Sequence, residues 1–212
     1  MSPEFITIDG VRLEVRRLAG TRPGPTLIFL HEGLGSVALW RDFPDKVAAA
    51  TGLPVVVYSR RGYGRSDPRA ESYAPDFMHR EALDVLPKLL AALGIERPLL
   101  VGHSDGASIA LIHASRHPVA GVVALAPHVF VEAITVAAIA KAADAARDTD
   151  LLQRLGRHHA RPDHAFWGWN DIWLLPAFRD WTIEDVLPAI QAPVLAIQGE
   201  DDEYGTMAQI DA

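Results

Sequence analysis

Five short runs of consecutive apolar residues recur along the chain, and their pattern predicts buried strands. A strand with one solvated face alternates apolar and polar residues, whereas a strand covered on both faces of a parallel sheet does not. Between the runs, apolar residues recur three to four positions apart, as in a helix. The clearest case is residues 80–93, and Gly94 follows as a signal that the helix ends. Alternating strands and helices predict a doubly wound, mostly parallel α/β sheet. The runs are residues 26–30, 54–58, 98–101, 121–125 and 193–197.

The start of the chain departs from this alternation. Residues 5–8 and 11–15 are two further strand-like segments, and they flank the dipeptide Asp9-Gly10. This dipeptide is typical of a tight hairpin turn, because both of its residues tolerate a positive φ. We therefore expect two antiparallel strands before the parallel part of the sheet.

A second departure lies between the fourth and fifth apolar runs. Residues 129–182 have helical spacing and contain no strand-like run, which predicts a helical cap inserted into a core of residues 1–128 and 183–212. Four of the five tryptophans fall in this cap. Phe166, Trp169 and Trp173 share one helical face, which we expect to pack the cap onto the core. The alternative is an apolar wall around a ligand.

Composition narrows the class of protein. A length of 212 residues with 49% hydrophobic residues fits one sizeable core, and the net charge of −7 argues against nucleic acid or an anionic membrane as a partner. The absence of cysteine excludes disulfides, thiolate catalysis and cysteine-ligated metals. Residues 1–5 lack the basic and apolar segments of a secretory signal, so a cytoplasmic location is expected.

The pentapeptide Gly102-His103-Ser104-Asp105-Gly106 is the strongest chemical signal. It fits the G-x-S-x-G nucleophile elbow and lies between a predicted strand and a predicted helix. The strand and helix backbones approach closely at such a turn, so small residues are needed on both sides of the serine. This context predicts that Ser104 is a nucleophile.

Three further motifs make the chain resemble the serine-nucleophile branch of the α/β-hydrolase superfamily, which includes esterases, lactonases and aminopeptidase-like enzymes. Residues 31–36, HEGLGS, are similar to the family's oxyanion loop, although Glu32 stands where many members have glycine. Residues 58–67, YSRRGYGRSD, resemble its R-G-x-G-x-S turn. Residues 199–202, GEDD, resemble the G-x-x-D motif that carries the catalytic acid.

The resemblance implies a role for each of these positions. Ser104 would be the nucleophile and Asp202 the acid, with Asp201 as the alternative acid. The backbone amides of Gly33 and Asp105 would form the oxyanion hole, and Leu34 would replace Gly33 if Glu32 shifts the loop. Open parallel sheets place their sites at the carboxyl ends of the strands, where all these motifs fall.

The resemblance also implies a histidine after the acid, but only ten residues follow Asp202. A return to the same edge of the sheet needs a crossover of roughly a dozen residues and a strand of about five. We therefore expect this sequence to lack the last helix, the last strand and the histidine, and the 212-residue chain to be inactive or impaired. The histidines left open as substitutes are His31, His128, His158, His159 and His164.

The resemblance implies a hydrolase of a small carboxylic ester, lactone or related acyl compound, acting through an acyl-enzyme on Ser104. No cofactor is expected, and a metal site built from Asp163 and the histidines at 158, 159 and 164 lacks the spacing of zinc hydrolases. The alternative is a catalytically silent protein of the same fold that binds a small ligand. We also expect the last strand to form an open edge that pairs with a second copy.

Overall fold

The computed structural model describes residues 4–212. Residues 1–3, which contributed to the expectation of a cytoplasmic location, lie outside this range. Seven strands form one sheet in the order β1-β2-β4-β3-β5-β6-β7. The strands are β1 (Glu4–Ile8), β2 (Val11–Leu18), β3 (Leu27–Leu30), β4 (Val55–Tyr58), β5 (Leu99–His103), β6 (Gly121–Leu125) and β7 (Val194–Ile197).

The sheet is parallel from β4 to β7 and antiparallel at its start. β1 pairs with β2, and β2 pairs with β4, in antiparallel register. The turn between β1 and β2 has positive φ angles of 51° at Asp9 and 81° at Gly10, so the predicted hairpin is confirmed. The predicted doubly wound, mostly parallel sheet is confirmed as well.

Helices connect the parallel strands. The helix predicted over residues 80–93 begins earlier than expected, at Phe77, and contains a π-helical turn over Glu81–Val85. It ends at Gly94 in the left-handed conformation, with a φ of 68°. The α-helices are α1 (Phe43–Thr51), α2 (Phe77–Arg80), α3 (Leu86–Leu93), α4 (Asp105–Ala114), α5 (Ala133–Asp148), α6 (Leu151–Leu155), α7 (Pro162–Leu174) and α8 (Ala208–Asp211).

The apolar runs are not all buried. Every residue of β3 and of β4 is buried, as the sequence predicts. The prediction is wrong for β7, where all four residues are exposed, and Leu195 is 56% exposed. Among residues 4–212, β7 pairs with β6 alone.

The segment between β6 and β7 holds α5, α6 and α7 and forms an isolated bridge between Phe130 and Thr182. Phe166, Trp169 and Trp173 lie on α7 and are at most 7% exposed, within the main apolar cluster of the molecule. The division into core and cap stays a prediction. Within residues 4–212, no helix is long and apolar enough to cross a membrane.

Candidate active site

Ser104 occupies a strained backbone position between β5 and α4. Its φ is 53° and its ψ is −120°, a combination that residues with side chains rarely adopt. A serine before the first residue of a helix commonly caps it with its hydroxyl, but Ser104 makes no such bond to α4. The turn therefore leaves the hydroxyl free for another use.

The glycines on both sides of Ser104 are required by close backbone contacts. A Cβ atom on Gly102 would lie 2.3 Å from the carbonyl oxygen of Gly106. A Cβ atom on Gly106 would lie 2.0 Å from the carbonyl oxygen of Leu30, on the neighbouring strand β3. Any side chain at either position would force the strand and helix apart, as the sequence pattern suggests.

Ser104 opens into a cavity of about 190 Å³ at the carboxyl ends of the strands. The cavity brings together three of the four predicted site residues, namely Ser104, Gly33 and Asp202. The fourth, Asp105, is buried directly behind Ser104. The other lining residues are Glu32, Leu34, His103, Ala126, Pro127, His128, Trp169, Gln198, Tyr204 and Gly205.

Asp202 reaches the cavity from the loop that follows β7. Its amide bonds to the carbonyl of Gly199, and its carboxylate accepts a 2.8 Å bond from the amide of Tyr204. Tyr204, which donates the second of these bonds, lines the cavity together with Asp202. Asp201, the alternative acid, is exposed and does not line the cavity.

The loop after β3 carries Gly33 beneath the indole of Trp169. A Cβ atom at Gly33 would lie 2.1 Å from Nε1 of Trp169, so α7 closes over this loop and leaves no room for a side chain. The amide of Gly33 donates no hydrogen bond to another backbone group within residues 4–212. The amide of Asp105 is at the first position of α4, where no earlier helical carbonyl is available to it.

Two of the histidines left open as bases are fully engaged in hydrogen bonds. Nε2 of His31 accepts the amide of Arg60, and its Nδ1 therefore donates to the carbonyl of Glu32 at 2.6 Å. Nδ1 of His159 accepts the amide of Gly64, and its Nε2 donates to the carbonyl of Leu34 at 2.9 Å. Neither ring has a nitrogen left for Ser104.

Of the other substitutes, only His128 lines the cavity with Ser104 and Asp202. Its Nδ1 has no hydrogen-bond partner within residues 4–212. Burial lowers the pKa of His128 to about 4, with the nearby Asp202 carboxylate opposing this shift. A general base works best with a pKa near the working pH, so His128 is a weak base at neutral pH. His158 and His164 do not line the cavity.

Among residues 4–212, those that line the cavity include two carboxylates, Glu32 and Asp202, and no lysine or arginine. Burial raises the pKa of Glu32, but the nearby His103, the backbone of Glu32 itself and the charge of Arg60 together outweigh this effect and hold that pKa below its ordinary value. Glu32 Oε2 lies 3.6 Å from His103 Nδ1. The site is therefore suited to uncharged or cationic groups rather than to anions.

Sequence reasoning missed Arg60, which it assigned to the turn after β4 together with Arg61. Arg60 is only 4% exposed and extends beneath the loop that carries Gly33. It also missed the side chain of Asp105, whose carboxylate is buried beside the Arg60 guanidinium. Burial raises the pKa of Asp105 to about 6, and the charge of Arg60 opposes this shift. The Arg60-Arg61 pair in the sequence does not reveal which arginine turns inward.

Comparison with known proteins identifies the family. The model of the alpha/beta hydrolase fold family matches residues 25–166, which include the loop at Gly33 and the turn at Ser104. This match covers more than half of the chain. The chain belongs to the α/β-hydrolase fold family.

Curated relatives carry hydrolase names. The chain is 34% identical over 113 residues to the putative carbamate hydrolase RutD of Caulobacter vibrioides, an alignment that covers 53% of this chain and 39% of that protein. It is 26% identical over 216 residues to the serine hydrolase BPHL of Mus musculus, covering 93% of this chain and 69% of that protein. The chain thus spans about two-fifths of the length of the first of these relatives.

Solved structures share the fold. The proline iminopeptidase of Mycobacterium smegmatis superposes with a TM-score of 0.73 at 22% identity, covering 99% of this chain and 85% of that chain. Est816, described as an N-acyl homoserine lactone degrading enzyme, gives a TM-score of 0.69 at 25% identity, with coverages of 98% and 86%. The α/β-hydrolase fold predicted from the motifs is confirmed.

Proposed function

We propose that this chain carries the nucleophile, acid and oxyanion hole of a serine hydrolase that acts on small acyl compounds. The observation that carries the proposal is the backbone of Ser104, held at a φ of 53° above α4 with its hydroxyl uncommitted to the helix. Asp202 is the acid, and the amides of Gly33 and Asp105 are the oxyanion donors.

In this mechanism, Oγ of Ser104 attacks the carbonyl carbon of the substrate and its proton passes to a histidine base. The family resemblance implies this histidine after Asp202, and residues 203–212 do not contain it. The negative charge that develops on the carbonyl oxygen is stabilised by the amides of Gly33 and Asp105. The bond to the leaving group then breaks, and the leaving group takes the proton from the histidine. Water then gives a proton to the histidine and attacks the acyl group on Ser104. The bond to Oγ breaks, and Oγ takes the proton back from the histidine.

The volume and the lining of the cavity favour a substrate with a small, uncharged acyl group. An engineered protein cavity of about 150 Å³ holds benzene, so a cavity of about 190 Å³ fits an acyl group of similar size. Leu34, Pro127 and Trp169 give it apolar walls. Small carboxylic esters and lactones meet these requirements, whereas an acyl group with a free carboxylate would face Glu32 and Asp202.

Labelling with a fluorophosphonate, followed by intact-mass measurement, tests the proposal. Because no histidine follows Asp202 in residues 203–212, we expect one slowly formed adduct on the parent chain and none on Ser104→Ala. Ser115→Ala is the matched control, since Ser115 lies at the other end of α4 and its hydroxyl bonds to the carbonyl of Ile112. Equal labelling of the parent and Ser104→Ala, or none of the parent, contradicts the proposal.

His128→Gln tests the choice of base. Because the pKa of His128 is lowered to about 4, we expect the labelling rate to fall less than tenfold. A loss as complete as that of Ser104→Ala would make His128 the base.

The second candidate is a silent member of the family that binds a small ligand. It is favoured by one observation: His128 lines the cavity with Ser104 and Asp202, and burial lowers its pKa to about 4. This function predicts saturable binding of a small ester without turnover of p-nitrophenyl acetate. Rapid turnover by the 212-residue chain would exclude it.

A further inference from the structure

The carbonyl oxygen of Glu32 is the meeting point of three hydrogen-bond donors. It accepts Nδ1 of His31 at 2.6 Å, Nη2 of Arg60 at 3.1 Å and the amide of Gly35 at 3.0 Å. The neighbouring carbonyl of His31 accepts Nη1 of Arg60 at 2.5 Å. One guanidinium therefore bonds to two successive carbonyls of this loop.

The peptide that joins Glu32 to Gly33 transmits this restraint. Peptide units are planar, and none of those in residues 4–212 is cis, so the carbonyl of Glu32 and the amide of Gly33 point in opposite directions. Donors that fix the carbonyl on one side fix the N–H on the other. Arg60 is not among the residues that line the cavity, whereas Gly33 is.

Arg60 also contacts the second donor segment. Its Nη2 lies 3.8 Å from Oδ2 of Asp105, and the two side chains are 4% and 1% exposed. Neither carboxylate oxygen of Asp105 has a hydrogen-bond partner within residues 4–212, so the attraction between the two charges is the main compensation for burying the carboxylate. The backbone amide of the same residue is the second proposed oxyanion donor.

We infer that Arg60 is a positioning residue for the oxyanion hole: its guanidinium bonds to the carbonyls of His31 and Glu32 and pairs with the Asp105 carboxylate, and so orients the amides of Gly33 and Asp105. This role rests on the proposed function. The planar guanidinium suits it, because its five N–H groups can reach several acceptors in fixed directions, whereas the ammonium of lysine cannot. Arg61, the next residue, is half-buried and pairs with Glu71.

The kinetic test compares Arg60→Met, Arg60→Lys and the matched control Arg61→Met in their reaction with a fluorophosphonate. Loss of one oxyanion donor slows catalysis about 100-fold to 1,000-fold, so misorientation of the donors should slow the bond-forming step about 10-fold to 100-fold. We expect this loss in Arg60→Met, a smaller loss in Arg60→Lys and a change below about twofold in Arg61→Met. The reversible affinity for the reagent should stay within about twofold, because the donors act mainly on the transition state.

A second readout does not depend on activity. Spectra of protein labelled with ¹⁵N-glycine report the amide of Gly33 directly. We expect the Gly33 resonance to move or broaden in Arg60→Met and to stay in place in Arg61→Met, with Gly199 as an internal reference. If the parent chain does not react at all, the proposed function fails, and the Gly33 resonance alone decides this inference.

Removal of Arg60 alone leaves the Asp105 carboxylate buried without its partner, which can prevent folding. The double variant Arg60→Met with Asp105→Asn removes both charges and keeps the fold testable. A slow bond-forming step and a displaced Gly33 resonance in the folded double variant support the inference. Parent-like reaction, or an unchanged Gly33 resonance in either folded variant, overturns it.

Discussion

Two strands of the same sheet, β4 and β7, have almost the same composition and opposite environments. Each has four residues, almost all of them aliphatic, yet every residue of β4 is at most 4% exposed while every residue of β7 is exposed. β4 lies between β2 and β3, whereas β7 has a neighbour on one side only within residues 4–212. The position of a strand in the sheet, rather than its hydrophobicity, decides how firmly it is held.

The same contrast divides the proposed site. Ser104 and Gly33 follow β5 and β3, in the middle of the sheet. Close backbone contacts of the flanking glycines fix the turn at Ser104, and the indole of Trp169 packs against Gly33. Asp202 follows β7 and is held by bonds within its own loop. The proposed nucleophile and oxyanion donors are therefore preorganised by packing, while the proposed acid depends on a marginal strand.

The largest expected effect tests the crowding around Ser104, the proposed nucleophile. Gly106→Ala places a methyl group 2.0 Å from the carbonyl oxygen of Leu30, so we expect a loss of more than about 4 kcal/mol of folding free energy or no folded protein. Gly199→Ala is the matched change near Asp202, the proposed acid, where the atom nearest to an added Cβ is 4.0 Å away. Urea unfolding of Gly199→Ala should show a change in the free energy of unfolding below about 0.5 kcal/mol. Similar losses in both variants would refute the contrast.

A pair of leucines gives the next largest effect. Leu30 in β3 is 1% exposed and Leu195 in β7 is 56% exposed. Leu30→Ala should lower the free energy of unfolding by about 2 to 5 kcal/mol, because it leaves a cavity in the core. Leu195→Ala should lower it by less than about 1 kcal/mol. Urea titrations of both variants measure these free energies. A loss above about 2 kcal/mol in Leu195→Ala would show that β7 is packed in solution.

The comparison also shows how far the sequence predicts the fold. Apolar runs predicted the strands, and the dipeptide Asp9-Gly10 predicted the hairpin, because both are local signals. The exposure of β7 is not local: its run, PVLAI, resembles the run of β4, PVVVY, and only the order of strands separates them. Burial is a property of the neighbours that a strand finds, which a single run does not encode.

The candidate site shows the same limit. Motifs predicted Ser104, Gly33 and Asp202, and the structure brings these three residues to one cavity, although their roles stay predictions. The motif at 58–67 gave Arg60 and Arg61 the same interpretation. The two residues differ in their long-range contacts. After β4 the side chain of Arg60 lies inside, beside Asp105, whereas that of Arg61 lies near the surface, beside Glu71.

A third prediction concerns how the stability of the protein depends on pH through His113, a buried residue of α4. His113 on α4 bonds through Nδ1 to the carbonyl of Ala82, and burial lowers its pKa to about 4. The unfolded chain takes up this proton near pH 6.5, so it binds more protons than the folded chain between about pH 6.5 and 4. Stability should therefore fall as the pH drops through this window, by about 3 kcal/mol from His113.

The measurement is the free energy of unfolding at pH 7 and pH 4 for the parent, His113→Gln and the control His164→Gln. His164 is exposed, so its replacement should leave the pH dependence as in the parent. His113→Gln should weaken the fall. An unchanged slope in His113→Gln would mean that water reaches this helix, and that the β5 side of the sheet is less tightly packed than the contrast requires.

The smallest expected effect concerns the two edges of the sheet. β1 presents the polar side chains Glu4 and Thr7 at its exposed positions, whereas β7 presents only aliphatic ones. An apolar edge with unpaired backbone groups favours pairing with another copy, and a lysine on the edge opposes it. We therefore expect the chain to self-associate through β7, and Leu195→Lys to weaken that association at least tenfold, or by about 1.4 kcal/mol.

Thr7→Lys adds the same charge to β1 and should leave the association unchanged. Sedimentation over a range of concentrations separates the two edges: equal weakening by both lysines would indicate a general effect of charge, and a parent that stays monomeric would show that exposure alone does not make β7 an interface.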